Sequence, residues 1–193
     1  ANYSIPLLSI FLYAIFCYFG QIIMNSYDAF DLRYHLSIWN GFLAIFSLIG
    51  TIKTLPFLLS DTLSSSYEDS ICTDPVYTWA DSTTGFWVML FIFSKIPELF
   101  DTVFIVLRKR KLIFLHWYHH ITVLLYCWHS YATEASQALY FVTMNYSVHS
   151  LMYGYYCLMV LKMKPKWMRP LFITICQISQ MIVGTFVQII SKS

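Results

Sequence analysis

The stretch Ile5-Pro-Leu-Leu-Ser-Ile-Phe-Leu-Tyr-Ala-Ile-Phe-Cys-Tyr-Phe-Gly-Gln-Ile-Ile-Met24 decides the class of this protein. It runs for twenty residues with no group that is charged at neutral pH, and the first charge in the chain is Asp28. At about 1.5 Å per residue such a helix is about 30 Å long, the thickness of a bilayer core. A cleaved signal peptide would have a shorter apolar region preceded by basic residues. The composition agrees over all 193 residues: 58% are apolar, 19% aromatic and only 11% charged, against about 25% charged in a soluble domain. Too few charges are present to cover a soluble globule of this size. Disordered chains are polar and poor in aromatics, so disorder is excluded as well. Twelve basic against ten acidic residues leave a net charge of +2, with no basic domain, so no nucleic-acid partner is expected. The reading is an all-α integral membrane protein.

The same window test predicts further spanning helices near 36–59, 85–107, 112–130, 138–161 and 170–190, six in all. Linkers are short except for 60–81, rich in Ser, Asp and Thr, which reads as an exposed loop. Nine of the twelve basic residues fall on one side: Arg33, Arg108, Lys109, Arg110, Lys111, Lys162, Lys164, Lys166 and Arg169. The opposite loops, 60–81 and 130–137, carry Asp61, Glu68, Asp69, Asp74, Asp81 and Glu134 but no Lys or Arg. Short cytosolic loops are enriched in Lys and Arg. Segments 28–35, 108–111 and 162–169 are therefore expected in the cytosol and the N-terminus in a lumen. With no Met at position 1 and a last helix that stops at Ser193, the chain reads as a single membrane domain, 1–193, trimmed at both ends, with a seventh helix to follow. The five cysteines form no CxxC pair. Cys17, Cys127, Cys157 and Cys176 read as packing residues, whereas Cys72 in the lumenal loop could pair with a cysteine beyond Ser193.

Polar groups at membrane depth cost ~2.5–3.5 kcal/mol each when charged, so they are functional candidates. The third predicted helix carries Lys95, Glu98 and Asp101. Lys95, Glu98 and Thr102 share one narrow helical face, with Asp101 at its edge. A neutralised structural pair between Lys95 and Glu98 is the plainer alternative, but it would not need a third charge. The fourth helix opens with His116-Trp-Tyr-His119-His120, three imidazoles within an arc of about 100°. One buried histidine is usually a satisfied core residue; three on one face suggest metal ligation, proton transfer or nucleophilic attack. The fifth helix carries Asn145, His149, Met152, Tyr153 and Tyr156, and the sixth Thr174, Gln177 and Gln180. One such stripe could be packing glue; four on successive helices imply a shared, enclosed polar chamber. His35 and His129 lie near helix ends, and Lys53 either snorkels to the surface or lines the chamber.

Four ordered motifs make the chain resemble the fatty acid elongases of the ELO family, condensing enzymes of the endoplasmic reticulum. Lys95-Ile-Pro-Glu98-Leu-Phe-Asp101-Thr102 is similar to KxxExxDT, and His116-Trp-Tyr-His119-His120 to the HxxHH histidine box. Asn145 with His149-Ser-Leu-Met152-Tyr153-Gly-Tyr155-Tyr156 is similar to NxxxHxxMYxYY, and Thr174-Ile-Cys-Gln177-Ile-Ser-Gln180 to TxxQxxQ. The likeness is dense over about 85–185. Lys111, five positions before His116, replaces the Gln typical of branches that prefer polyunsaturated chains, so the sequence resembles the branch elongating saturated and monounsaturated chains.

The resemblance implies seven membrane helices in the whole protein, an acyl tunnel, and decarboxylative condensation of a long-chain acyl-CoA with malonyl-CoA. It implies no cofactor and no metal. Family mechanisms place the acyl group on the middle histidine, here His119, as an acyl-imidazole. His149, His116 and His120 would polarise the malonyl thioester or manage protons, and Asp101 and Glu98 would orient imidazoles. Lys95, Asn145, Tyr153, Tyr156, Gln177 and Gln180 are expected to bind substrate, with the CoA phosphates meeting Arg108, Lys109 and Arg110. The implied partners are membrane lipid and the ketoreductase, dehydratase and enoyl reductase of the same cycle, and a homodimer is left open. Two rivals stand beside this reading. A di-iron desaturase or hydroxylase needs about eight histidines, and this chain has six. A transporter often shows internal repeats and broken helices; no repeat is evident, and Pro97 is the clearest mid-helix breaker.

Overall fold

The computed structural model describes residues 2–64, 75, 78–163 and 168–190. Glu68, Asp69, Cys72 and Asp74 of the acidic loop, and Lys164 and Lys166 of the basic turn, lie outside the described residues. The described residues are helical and contain no strand: α1 (Ser4–Met24), α2 (Arg33–Ser64), α3 (Thr83–Ser94), a 3-10 turn (Pro97–Leu99), α4 (Phe100–Leu107), α5 (Phe114–Ala132), α6 (Ala138–Val160) and α7 (Pro170–Ile190). Ser4–Met24, Arg33–Ser64 and Pro170–Ile189 are long and apolar enough to cross a membrane. α5 and α6, with 19 and 23 residues, have the length; their His, Tyr, Trp and Asn residues lower the hydropathy.

The third predicted helix, 85–107, is broken. Pro97 has no N–H to give to the carbonyl of Phe93, and its ring clashes with that carbonyl in a regular helix. The chain tightens instead: Lys95 N bonds Ile92 O at 3.3 Å, Ile96 N bonds Phe93 O at 3.2 Å and Leu99 N bonds Ile96 O at 3.1 Å. Pro56 does not break α2, which runs on to Ser64, past the expected end at 59.

The chain forms two compact units, Ala1–Leu32 with Leu90–Thr133, and Arg33–Met89 with Glu134–Ser193. In the first, α1 buries Pro6, Tyr13, Gly20 and Met24, a stripe with near-heptad spacing. Gly20 sits where a Cβ would lie 3.3 Å from Val106, so α1 approaches α4 closely. Tyr13, Leu99 and Leu124 form the core, with Ile10, Ile96, Trp117 and Ile121 packed around them. The other face of α1 is apolar and open, with Phe11 62% exposed, as a lipid-facing surface requires. At one end, Phe30 N bonds Leu107 O at 3.0 Å and Lys109 Nζ bonds Tyr27 O at 2.9 Å. At the other, Tyr3 Oη and His129 Nδ1 are 3.1 Å apart. Residues 25–32 and 105–111 thus share one end, as the charge pattern requires.

In the second unit α2 and α6 pack antiparallel. α2 buries Ser37, Asn40, Leu43, Ser47, Gly50, Thr54 and Leu58, a stripe of mostly small residues. Between membrane helices there is little hydrophobic drive, so association depends on close backbone approach and on hydrogen bonds. Register is read from the contacts: Arg33 Nε donates to Val160 O at 2.7 Å, Ser37 Oγ lies 3.5 Å from Cys157 Sγ, and Thr62 Oγ1 lies 3.0 Å from Tyr140 Oη. Gly50 makes room for the ring of Tyr146, which a Cβ there would meet at 2.5 Å. Leu43, Met152, Tyr153, Tyr155, Met168 and Ile173 form the core of this unit.

Candidate active site

The break at Pro97 brings Lys95 and Glu98 into a two-pronged pair. Lys95 Nζ donates to Glu98 Oε1 at 2.7 Å and to Oε2 at 3.0 Å. Ser94 Oγ donates to the same Oε1 at 3.1 Å, and the ammonium lies 4.0 Å from the centroid of the Phe91 ring. Both side chains are buried. The neutralised pair weighed as the plainer alternative is therefore formed. Asp101 is half-buried in the first turn of α4.

One residue further on, Thr102 is fully buried. Its Oγ1 lies 2.9 Å from His116 Nε2 and 2.8 Å from Tyr13 Oη. His116 is thus tied to α4 and, through it, to α1. The sequence places Thr102 on the polar face of its helix but gives it no role, and Tyr13 carries no signal within a run of apolar residues. The His116 and His120 rings meet edge to face at 4.6 Å between centroids, and His119 and His120 at 5.9 Å. His116 and His120 are half-buried and His119 is exposed. Among the described residues no hydrogen bond reaches the ring nitrogens of His119, and its backbone carbonyl accepts from Thr122 Oγ1 at 3.1 Å. One histidine of the box is therefore held in place while another is open to a ligand.

Arg108 is half-buried, and Lys109, Arg110 and Lys111 are exposed at the end of α4. Lys109 adopts φ 50°, and Arg110 N bonds Ile105 O while Lys109 N bonds Val106 O, both at 2.9 Å. This is the two-bond helix stop that normally uses Gly. It places the cationic run at the helix exit, where positive charge also meets the carbonyl end of the helix dipole.

The second unit carries the other predicted residues. Asn145 and Tyr153 are buried on α6, His149 is half-buried and Tyr156 is 43% exposed. The His149 ring lies edge to face with Tyr153 at 5.4 Å. From α7, Gln177 Nε2 donates to Met152 Sδ at 3.1 Å, and Gln180 is buried. His35 and Lys53 are exposed. Cys17, Cys127, Cys157 and Cys176 are free thiols.

The fold defines a polytopic helical membrane protein, with a histidine-rich group on one unit and an Asn-His-Gln group on the other. The chain belongs to the ELO family, described as GNS1/SUR4, whose profile matches residues 1–192. It is 45% identical to very long chain fatty acid elongase 6 of Gallus gallus over 173 residues, covering 90% of this chain and 64% of that protein. It is 46% identical to very long chain fatty acid elongase 6 of Drosophila melanogaster over 178 residues, covering 92% and 56%. With very long chain fatty acid elongase 3 of Mus musculus the identity is 40% over 184 residues, covering 95% and 67%. The chain thus spans 64% and 56% of the length of those two elongase 6 proteins.

Proposed function

We propose that the protein is the condensing enzyme of fatty acid elongation, a 3-oxoacyl-CoA synthase that joins a long-chain acyl-CoA to malonyl-CoA. The observation that carries this reading is His119, an exposed imidazole with unoccupied ring nitrogens beside two neighbouring imidazoles. Family membership leaves the di-iron and transporter readings without support.

A neutral ring nitrogen of His119 attacks the acyl thioester carbonyl. The C–S bond breaks, CoA leaves as thiolate, and the imidazole N–H proton passes to it through solvent, leaving an N-acylimidazole. Malonyl-CoA then loses CO2, and the electron pair of the broken C–C bond makes an enolate. Its carbon attacks the acyl carbonyl, the C–N bond breaks, and the departing ring nitrogen takes up a proton from solvent, which restores neutral His119. The products are a 3-oxoacyl-CoA two carbons longer, CO2 and CoA. Donors that stabilise the enolate oxygen are the main demand on the rest of the site, a role suited to His149, Asn145, Gln177 and Gln180. Arg108, Lys109 and Arg110 suit the CoA phosphates. In this reading Lys95 and Glu98 shape the turn before α4 rather than touch substrate, Asp101 and His120 support the histidine group, and Tyr153 and Tyr156 contribute to substrate binding. No resident metal takes part: full turnover is expected after exhaustive chelation, and a stoichiometric metal whose removal and return abolish and restore activity overturns that point.

The setting is the endoplasmic reticulum membrane with a lumenal N-terminus. A saturated or monounsaturated acyl chain is the substrate, and a ketoreductase, a dehydratase and an enoyl reductase consume the product in turn. The test is to incubate membranes holding the full-length protein with a panel of acyl-CoAs and labelled malonyl-CoA. The expected product is a labelled 3-oxoacyl-CoA longer by two carbons. Label retained in malonyl-CoA with every acyl-CoA defeats the reading.

A further inference from the structure

Three polar groups in the first unit form a linear chain: Tyr13 Oη, Thr102 Oγ1 and His116 Nε2, with links of 2.8 Å and 2.9 Å. The quality of the acceptor offered to each buried hydroxyl sets its direction. If His116 Nε2–H donated to Thr102 and Thr102 to Tyr13, the Tyr13 hydroxyl hydrogen would need another acceptor. Tyr13 is 5% exposed in a core of Leu99, Leu124 and Ile10; besides Thr102 its hydroxyl has the Cys17 thiol within hydrogen-bond reach, and sulfur is a much weaker acceptor than a hydroxyl oxygen or a ring nitrogen. If Tyr13 and His116 both donated to Thr102, the Thr102 hydroxyl hydrogen would be stranded. Thr51, Thr54, Thr122 and Thr185 each send theirs to the carbonyl four residues back. Among the described residues Thr102 makes no such bond. The arrangement that gives both buried hydroxyls a strong acceptor runs from Tyr13 to Thr102 to His116 Nε2, and it leaves the Nδ1–H of the half-buried His116 ring open to a ligand.

We propose that Tyr13, acting through Thr102, is a positioning residue that fixes His116 as the tautomer with hydrogen on Nδ1. Nε2 then accepts from Thr102, and Nδ1–H is left as the donor of that ring. The consequence rests on the acyl-imidazole reading above. As His119 attacks a thioester, negative charge develops on the carbonyl oxygen, and a donor oriented in advance stabilises it. The charge-free hydroxyls of Tyr13 and Thr102 hold the ring as a carboxylate does in other enzymes, without placing another charge in the membrane.

The test uses the full-length protein with 15N-labelled histidine in lipid nanodiscs, with ring-nitrogen resonances read by solid-state NMR. His116 is assigned by the signals lost in His116→Gln. Wild type is expected to show His116 with protonated Nδ1 and unprotonated, hydrogen-bonded Nε2; Tyr13→Phe to show a mixture of tautomers; Thr102→Ser to keep the wild-type pattern and Thr102→Val to lose it. The rate of CoA release from acyl-CoA alone should fall about tenfold in Tyr13→Phe, less than the ~10⁴ that a wholly wrong tautomer costs a serine protease. Its KM for acyl-CoA should stay within about twofold of wild type, and Thr102→Ser should restore what Thr102→Val loses. A wild-type His116 protonated on Nε2, or a Tyr13→Phe protein with unchanged tautomer and unchanged CoA release, overturns the proposal. A wild type that releases no CoA defeats the acyl-imidazole reading alone, because the wild-type spectrum still decides the tautomer without any variant.

Discussion

Removing the carboxylate of Glu98 should cost much more stability than removing both members of its pair. Lys95 and Glu98 are joined by contacts of 2.7 and 3.0 Å and their side chains are 3% and 8% exposed. At 3 Å and an effective dielectric of about 20, the Coulomb attraction is about 5–6 kcal/mol. Most of it offsets the desolvation of two charges, so the pair adds little net stability, yet stranding one partner costs ~3–5 kcal/mol. Glu98→Gln should fall near the lower end of that range, because the amide oxygen can still accept from the ammonium and the Phe91 ring still faces it at 4.0 Å. Lys95→Met should fall near the upper end, since Ser94 alone cannot replace a cation. The double variant Lys95→Met with Glu98→Leu matches the volumes and removes both charges. It should recover most of the loss, lying within about 1–2 kcal/mol of wild type, so that with single losses of ~3–5 kcal/mol each the coupling energy is at least about 4 kcal/mol. Reversible unfolding of wild type, Lys95→Met, Glu98→Leu and the double variant in mixed micelles measures this cycle, with Glu98→Gln measured beside it. Additive losses, or single variants within about 0.5 kcal/mol of wild type, would refute the stranded-charge reasoning. A double variant that folds and still turns over separates a structural turn from a catalytic pair.

Two further substitutions test the packing. Gly50→Ala would drive a Cβ to 2.5 Å from the Tyr146 ring, which is 1% exposed and fixed by its bond to Trp87 O at 3.0 Å; a loss of about 1–3 kcal/mol is expected, whereas Gly41→Ala, meeting Cys157 Sγ at 3.5 Å, should be nearly neutral in the same unfolding assay. Lys162 closes α6 at φ 61°, with Met163 N bonded to Leu158 O at 2.9 Å, so Lys162→Gly should raise stability by roughly 0.5–1 kcal/mol by removing the left-handed penalty; a loss would show that the side chain does more than occupy the turn.

Length, hydropathy and charge are enough to place the helices, because an apolar run near 20 residues has one stable form in a bilayer. The first helix, expected at 5–24, is Ser4–Met24, and the last, expected at 170–190, is Pro170–Ile190. What periodicity alone misjudges is the third helix. A wheel drawn through 85–107 assumes 3.6 residues per turn throughout, and the tight turn at Pro97–Leu99 invalidates that angle for Glu98. The site was legible where chemistry is rare, as in three histidines at membrane depth. It was not legible at Tyr13, because a tyrosine in an apolar helix looks like packing until its partner is known. Nor could sequence separate His116, tied to Thr102, from exposed His119. That difference arises from contacts between α1, α4 and α5, which spacing along one helix does not encode.

The most direct test is a single-turnover measurement of CoA release from acyl-CoA before malonyl-CoA is added. The wild-type full-length enzyme should release about one CoA per active site, and mass spectrometry should find the acyl group on the tryptic peptide bearing His119. His119→Ala should show neither, while His149→Ala should retain at least part of the burst. A full burst from His119→Ala would place the nucleophile elsewhere, and a wild type with no burst but normal turnover would show direct attack within a ternary complex.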